Sequence, residues 1–71
     1  MQRMKRIMSI CIEFKNDNTL YIQDVVDYHI EIGYLDIYVY DEPTKEDRHY
    51  HIDMSEIRYY EKIRTYKEDK A

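Results

Sequence analysis

The sequence has few residues that interrupt secondary structure and only one cysteine. Its 71 residues include one Gly, one Pro, one Cys and no Trp. The lone Cys11 excludes an internal disulfide and a CxxC motif, and a single glycine excludes a glycine-rich phosphate loop. A chain of this length forms one small domain, residues 1–71, with a thin core that is often supplemented by self-association.

Long hydrophobic runs are also missing. Basic residues near the N-terminus precede an apolar stretch from Ile7 to Ile12, an arrangement that resembles the start of a signal peptide. The stretch is only six residues long and contains Ser9, whereas a secretory apolar region needs about 7–15 residues and a membrane span about 20. We therefore expect a cytoplasmic protein without a membrane segment, in which Cys11 is reduced and buried.

The net charge of −4 is distributed unevenly along the chain. Residues 1–15 carry a net charge of +3, residues 16–47 carry nine carboxylates against Lys45, and residues 48–71 carry a net +1. Binding to a phosphate backbone depends on Lys and Arg, so the acidic middle segment argues against direct nucleic-acid binding and favours a protein partner with a basic surface. Nine tyrosines supply a side chain that is enriched at protein interfaces.

Alternating apolar and polar residues predict a mainly β fold of the β-rich α+β class. Residues 5–15 and Leu20–Ile22 fit two strands joined by a turn at residues 16–18, with a bend or bulge at residues 23–24. Two further alternating segments flank Gly33 and Tyr34, which fit a two-residue type II′ hairpin turn. The pattern predicts an antiparallel meander of four to five strands.

A turn centred on Gly33 and Tyr34 fixes the register of the central strands. The apolar pairs are Ile32 with Leu35, Ile30 with Ile37, and Tyr28 with Val39. A third strand, residues 48–54, continues this face across a loop at residues 42–47. Its pairs are Val39 with Tyr50, Ile37 with Ile52, and Leu35 with Met54.

The segment from Ser55 to Ala71 fits two structures. Asp53 followed by Glu56 resembles a helix capping box. Apolar residues recur at helical spacing downstream, at Ile57, Tyr60, Ile63 and Tyr66. The same segment also fits the period of a strand. We expect a C-terminal helix packed on the sheet, and the alternative is a further strand in a small SH3-like or Sm-like barrel.

On the outer face of the three central strands, the predicted register places polar side chains in three rows. The rows are Asp27–Tyr40–His49, His29–Tyr38–His51 and Glu31–Asp36–Asp53. Three adjacent carboxylates repel one another and destabilise a sheet unless basic groups neutralise them. We therefore predict that these nine residues form a binding surface for a basic partner. The alternative is that solvent, or the basic tail residues Arg58, Lys62, Arg64 and Lys67, compensates the carboxylates.

Metal binding and catalysis have little support in the sequence. His49-x-His51 is a spacing found in β-sheet metal sites, but the predicted register puts His29 and His51 about 9–10 Å apart with Tyr38 between them. The sequence contains no nucleophile–histidine motif, phosphate loop or HExxH helix. We expect a protein with no enzymatic activity, no metal site and no cofactor.

In its small size, acidity and Lys-, Ile- and Tyr-rich composition, the whole chain resembles small phage or mobile-element proteins of low-GC bacteria. Some of these proteins inhibit host defence systems, including restriction and CRISPR nucleases, and the resemblance implies a similar role. The leading hypothesis is a non-enzymatic interaction protein that docks its acidic, tyrosine-rich sheet face on a basic, nucleic-acid-binding protein surface. A homodimer is also expected at this size.

Two other functions are consistent with the sequence. An oligomeric nucleotide-binding protein of the sponge type would stack bases on Tyr or Phe and hold phosphates with Arg3, Lys5 and Arg6. Stabilisation of the purified protein by nucleotides would support this function. The remaining hypothesis is an accessory domain whose only role is assembly.

Overall fold

The fold is mainly β, as the computed structural model shows for residues 3–69, with side chains described for residues 5–66. The strands are β1 (Arg3–Phe14), β2 (Thr19–Ile22), β3 (Val25–Glu31), β4 (Tyr34–Asp41), β5 (Glu46–Asp53) and β6 (Ile57–Asp69). A single 3-10 turn, Met54–Glu56, precedes β6. Within residues 3–69, no helix has the length and apolar character needed to cross a membrane.

The strands form two separate three-stranded antiparallel sheets. One has the order β2-β1-β6 and the other the order β3-β4-β5. The hairpins β1–β2, β3–β4 and β4–β5 confirm the antiparallel connections predicted from the sequence. After β2 the chain crosses to the second sheet through Asp24, which has a φ of 59°. Among the strands of residues 3–69, the two sheets do not close into a barrel.

Apolar residues from both sheets form a thin core between them. Ile10 and Ile12 of β1 are fully buried, as are Leu35 and Ile37 of β4. The remaining buried apolar residues are Ile22, Val25, Val39 and Ile57. The central strand of each sheet therefore supplies the best-buried side chains, and the strands beside it cover them.

The predicted C-terminal helix is wrong, because the segment Ile57–Asp69 forms β6. Asp53 does act as a cap and accepts a hydrogen bond from the Ser55 amide, but the capped element is only the 3-10 turn. From there the chain pairs with β1 along almost its whole length, from Ile57 opposite Phe14 to Asp69 opposite Arg3. A strand forms only beside a partner strand, and the helix signals within the tail carry no information about that partner.

The central hairpin forms, but the prediction that Gly33 and Tyr34 make its turn is wrong. The central residues are Ile32 and Gly33, with φ values of 51° and 78°, and a type I′ turn needs positive φ at both positions. Ile30 therefore lies opposite Leu35, and Tyr28 opposite Ile37. Ile32 was predicted to face the core, but it is 89% exposed.

The register between β4 and β5 is displaced in the same way. The observed pairs are Leu35 with Ile52, Ile37 with Tyr50, and Val39 with Arg48. The predicted loop at residues 42–47 shortens, because Asp41 already pairs with Glu46. Each strand is shifted by two residues relative to its predicted neighbour. Since side chains alternate with a period of two, each residue from Asp27 onward keeps its face but gains different neighbours. Before it, an irregularity in β3 buries Val25 and leaves Val26 62% exposed.

The pairing of the two longest strands determines the shape of the molecule. Its principal extents are 46 × 21 × 20 Å, and the 13 residues of β6 span about 43 Å at the usual rise per residue. Of β1, only residues 10–13 also pair with β2. The first half of β1 and the second half of β6 therefore form a two-stranded ribbon at one end of the molecule.

Candidate functional site

The outer face of the β3-β4-β5 sheet carries the side chains predicted to form a binding surface. In the observed register, His29 lies opposite Asp36 and Asp36 opposite His51. The neighbouring row consists of Asp27, Tyr38 and His49. The side chains of the three histidines are 44–56% exposed. This face is therefore open to a binding partner.

Asp36 is at the centre of this face and is surrounded by all three histidines. His49 donates a hydrogen bond through Nε2 and His51 through Nδ1 to the same oxygen, Oδ1 of Asp36, each at 2.7 Å. On the other side, His29 Nε2 lies 3.6 Å from Oδ2. The hydrogen bonds from His51 and His49 hold the pKa of the Asp36 carboxyl below its usual value, so the carboxylate is ionised at neutral pH.

Two tyrosines stack on the histidines and fix the orientation of their rings. Tyr34 lies 4.2 Å from His51 between ring centroids, with 14° between the ring planes. Tyr38 lies 4.5 Å from His49, with 10° between the planes, and it also stacks on His29 at 5.8 Å. The rings cover Asp36, whose side chain is only 10% exposed. We call Asp36, His29, His49 and His51 the Asp36 cluster.

The predicted row of three carboxylates does not exist. Asp36 lies between His29 and His51, and Glu31 and Asp53 are separated by Tyr34, which pairs with both. This register is favourable because it replaces repulsion between neighbouring carboxylates by hydrogen bonds from imidazoles to Asp36. The other two predicted rows are wrong for the same reason, since the residues paired across the sheet are displaced by two.

Of the two reasons given against a metal site, the separation of His29 and His51 by one strand still holds, but the intervening Tyr38 does not. Tyr38 was predicted to stand between His29 and His51, but Asp36 occupies that position. Asp36, His49 and His51 each offer one ligand atom, and these atoms lie within 4.8 Å of one another. The sequence signal for this site is Asp36 on one strand and His49-x-His51 on the next. The predicted register was shifted by two residues and paired Asp36 with Asp53, so this signal was missed.

The other predicted surface residues lie around the cluster. Asp27 accepts a hydrogen bond from the Tyr28 amide, and Tyr40 lies opposite Asp47 on the same face. Asp53 caps the 3-10 turn, and the Ser55 amide lowers the pKa of its carboxyl. Tyr34 was predicted to lie in the turn, but it is part of this surface.

The chain matches no protein-family model, and no curated protein or solved structure is significantly similar to it. The function is therefore inferred from the geometry of the chain itself.

The charge difference between the two sheets is the second distinctive feature of the structure, after the Asp36 cluster. The strands β3, β4 and β5 carry seven carboxylates and one basic residue, Arg48. Between residues 5 and 66, the strands β1, β2 and β6 carry five basic residues and two carboxylates.

Proposed function

We propose that this protein is a non-enzymatic interaction protein whose β3-β4-β5 sheet docks on a basic surface of another protein. The observation that carries the proposal is the separation of charge, because seven of the carboxylates on strands lie in this sheet. A dense acidic surface attracts a positively charged partner and accelerates the encounter. The nucleic-acid-binding groove of an enzyme is the type of surface that such carboxylates match.

The aromatic residues of the outer face support the same function. Tyr34 is 38% exposed, and Tyr38 and Tyr40 are half-buried beside the histidines. Stacked rings lose little conformational entropy on binding, so they supply contact area at low cost. Acidic groups at the periphery and ordered rings at the centre are typical of a protein interface.

From its composition, we further propose that the protein is a cytoplasmic inhibitor encoded by a phage or mobile element. Its target is a host enzyme that binds nucleic acid. The acidic sheet takes the place of the phosphates in the enzyme's groove. A nucleotide sponge is the alternative, and its expected phosphate ligands Lys5 and Arg6 lie on exposed positions of β1.

A second copy of the chain is the other expected partner. β6 pairs with β1 along one edge, and within residues 3–69 no strand pairs with its other edge. Unpaired backbone groups along an edge strand favour pairing with another chain. We expect a homodimer, which light scattering tests; a monomer at the highest soluble concentration contradicts it.

Affinity capture from the host, with matched charge variants, tests the docking proposal. Glu31→Lys and Asp47→Lys each reverse an exposed charge on the outer face, and Glu56→Lys makes the same change in the 3-10 turn. We expect one captured basic protein whose binding falls steeply with salt and is lost in the first two variants. Equal binding by all three variants, or equal loss in Glu56→Lys, contradicts docking through this face.

A further inference from the structure

The Asp36 cluster brings three potential metal ligands from two neighbouring strands to one point. His49 and His51 lie on the same face of β5, and their rings are 6.1 Å apart between centroids. Both rings point a nitrogen at Asp36 Oδ1 on β4, at 2.7 Å. Two imidazoles and a carboxylate are the donor set of many divalent transition-metal sites.

The spacing of the three ligand atoms requires little adjustment for a metal ion. Zinc binds imidazole nitrogen and carboxylate oxygen at about 2.0–2.2 Å, so tetrahedral ligand atoms lie about 3.4 Å apart. The ligand atoms of the cluster lie within 4.8 Å of one another. Side-chain rotations that lengthen each nitrogen–oxygen contact by about 0.7 Å make room for the ion. Each ligating nitrogen gives up its proton, which moves through solvent to the other nitrogen of the same ring, so that its lone pair faces the ion.

Contacts around the ligands hold them in place. Tyr38 stacks on His49 and Tyr34 on His51, so neither ring needs to be ordered when an ion binds. The second oxygen of Asp36 faces His29, at 3.6 Å. His29 Nε2 also lies 3.5 Å from Glu31 Oε2. Outer contacts of this kind orient ligating side chains in metal sites.

We propose that Asp36, His49 and His51 bind one divalent transition-metal ion of the zinc type. His29 is a positioning residue, because it contacts Oδ2 of Asp36, the carboxylate oxygen that does not bind the metal. Three protein ligands on an open sheet face leave a fourth position for water or for a donor from another molecule. The site does not depend on the proposed docking, since it is complete within one chain.

Calorimetric titration of the full-length, untagged protein with Zn²⁺, after removal of metals by EDTA, tests the site. We expect one ion per chain. His49→Gln and His51→Gln should each weaken binding at least about tenfold, as even outer contacts of a metal site often do. Glu56→Gln, in the 3-10 turn, and Cys11→Ser, on the other sheet, remove potential ligands away from the cluster and should retain the affinity of the wild type. Mg²⁺, which prefers oxygen ligands, should not compete.

Two measurements on the wild-type protein do not depend on whether a variant folds. Amide NMR shifts during the Zn²⁺ titration should be largest near residues 36, 49 and 51. Bound Co²⁺ should give the visible absorption of a tetrahedral complex. Absence of saturable binding overturns the proposal. So do shifts centred elsewhere, or unchanged affinity in both His→Gln variants.

Discussion

Lys62 of β6 donates an exposed hydrogen bond of 2.8 Å to the hydroxyl of Tyr28 on β3, the other sheet. Its Nζ also lies 5.1 Å from the centroid of the Tyr28 ring. The core between the sheets is thin, so this polar contact adds a directional link to apolar packing. The pair therefore helps to fix how one sheet sits on the other.

Removal of the Tyr28 hydroxyl tests this link. Tyr28→Phe keeps the ring and its contact with the Lys62 ammonium but removes the acceptor. We expect the free energy of unfolding to fall by about 0.5–1.5 kcal/mol, the usual contribution of one hydrogen bond. Urea denaturation measures the change. Tyr66→Phe, at a residue that is 64% exposed, is the control and should have little effect.

Replacement of Ile32 should stabilise the protein, although it removes a large apolar side chain. Ile32 has a φ of 51° and is 89% exposed, so it is strained and its side chain is mostly in water. Asn tolerates this conformation, and Asn-Gly is the preferred type I′ sequence. Ile32→Asn should raise the free energy of unfolding by about 1 kcal/mol. Ile30→Asn, in the adjacent strand, should instead destabilise the protein; stabilisation by both would rule out turn strain as the cause.

Gly33→Val should destabilise the same turn. Gly33 has a φ of 78°, and a Cβ atom added there meets nothing within 4 Å. The cost therefore comes from the backbone alone, and for a β-branched residue we expect at least about 1–2 kcal/mol. Thermal unfolding compares this variant with Gly33→Asn. The Asn variant should have the higher melting temperature, because Asn adopts this backbone conformation more easily. Equal melting temperatures for both variants would contradict the explanation.

Ionisation of Tyr59 should occur at higher pH than for an ordinary tyrosine. Its hydroxyl donates a hydrogen bond of 2.9 Å to Glu61, and this bond and the nearby negative charge raise the pKa of the phenol above its usual 10.0. The folded chain holds this proton more tightly than the unfolded chain. The stabilisation is therefore complete below pH 10 and is lost as the pH rises through the folded-state pKa.

Tyrosine-ring NMR as a function of pH measures this shift. Glu61→Gln should lower the pKa of Tyr59 towards the ordinary value, because the negative charge is gone. Glu56→Gln makes the same change away from the ring and should leave the titration as it is. A Tyr59 pKa that does not respond to Glu61→Gln would show that the hydrogen bond is not its cause.

The alternation of residues was enough to predict which side chains share a face, but not which of them are neighbours. Leu35 and Ile37 lie opposite apolar or aromatic residues in both registers, which differ by two residues, so the inner face does not distinguish them at these positions. The outer face distinguishes them, because only the observed register places Asp36 between histidines. The repulsion expected within the Glu31–Asp36–Asp53 row was the available signal against the predicted register.

The C-terminal strand was harder to predict than the register. Asp53 and Glu56 are local signals, and the cap that they indicated does form at the 3-10 turn. What makes Ile57–Asp69 a strand is its pairing with Arg3–Phe14, at the opposite end of the sequence. No pattern within the tail itself contains that information.

The separation of positive and negative groups between the two sheets makes the molecule an electric dipole. When the molecule comes within about 8 Å of a cationic surface, the screening distance at physiological salt, it rotates so that its acidic sheet faces that surface. Because the whole chain carries a net charge of −4, a cationic partner is attracted to it and this attraction weakens as salt is added.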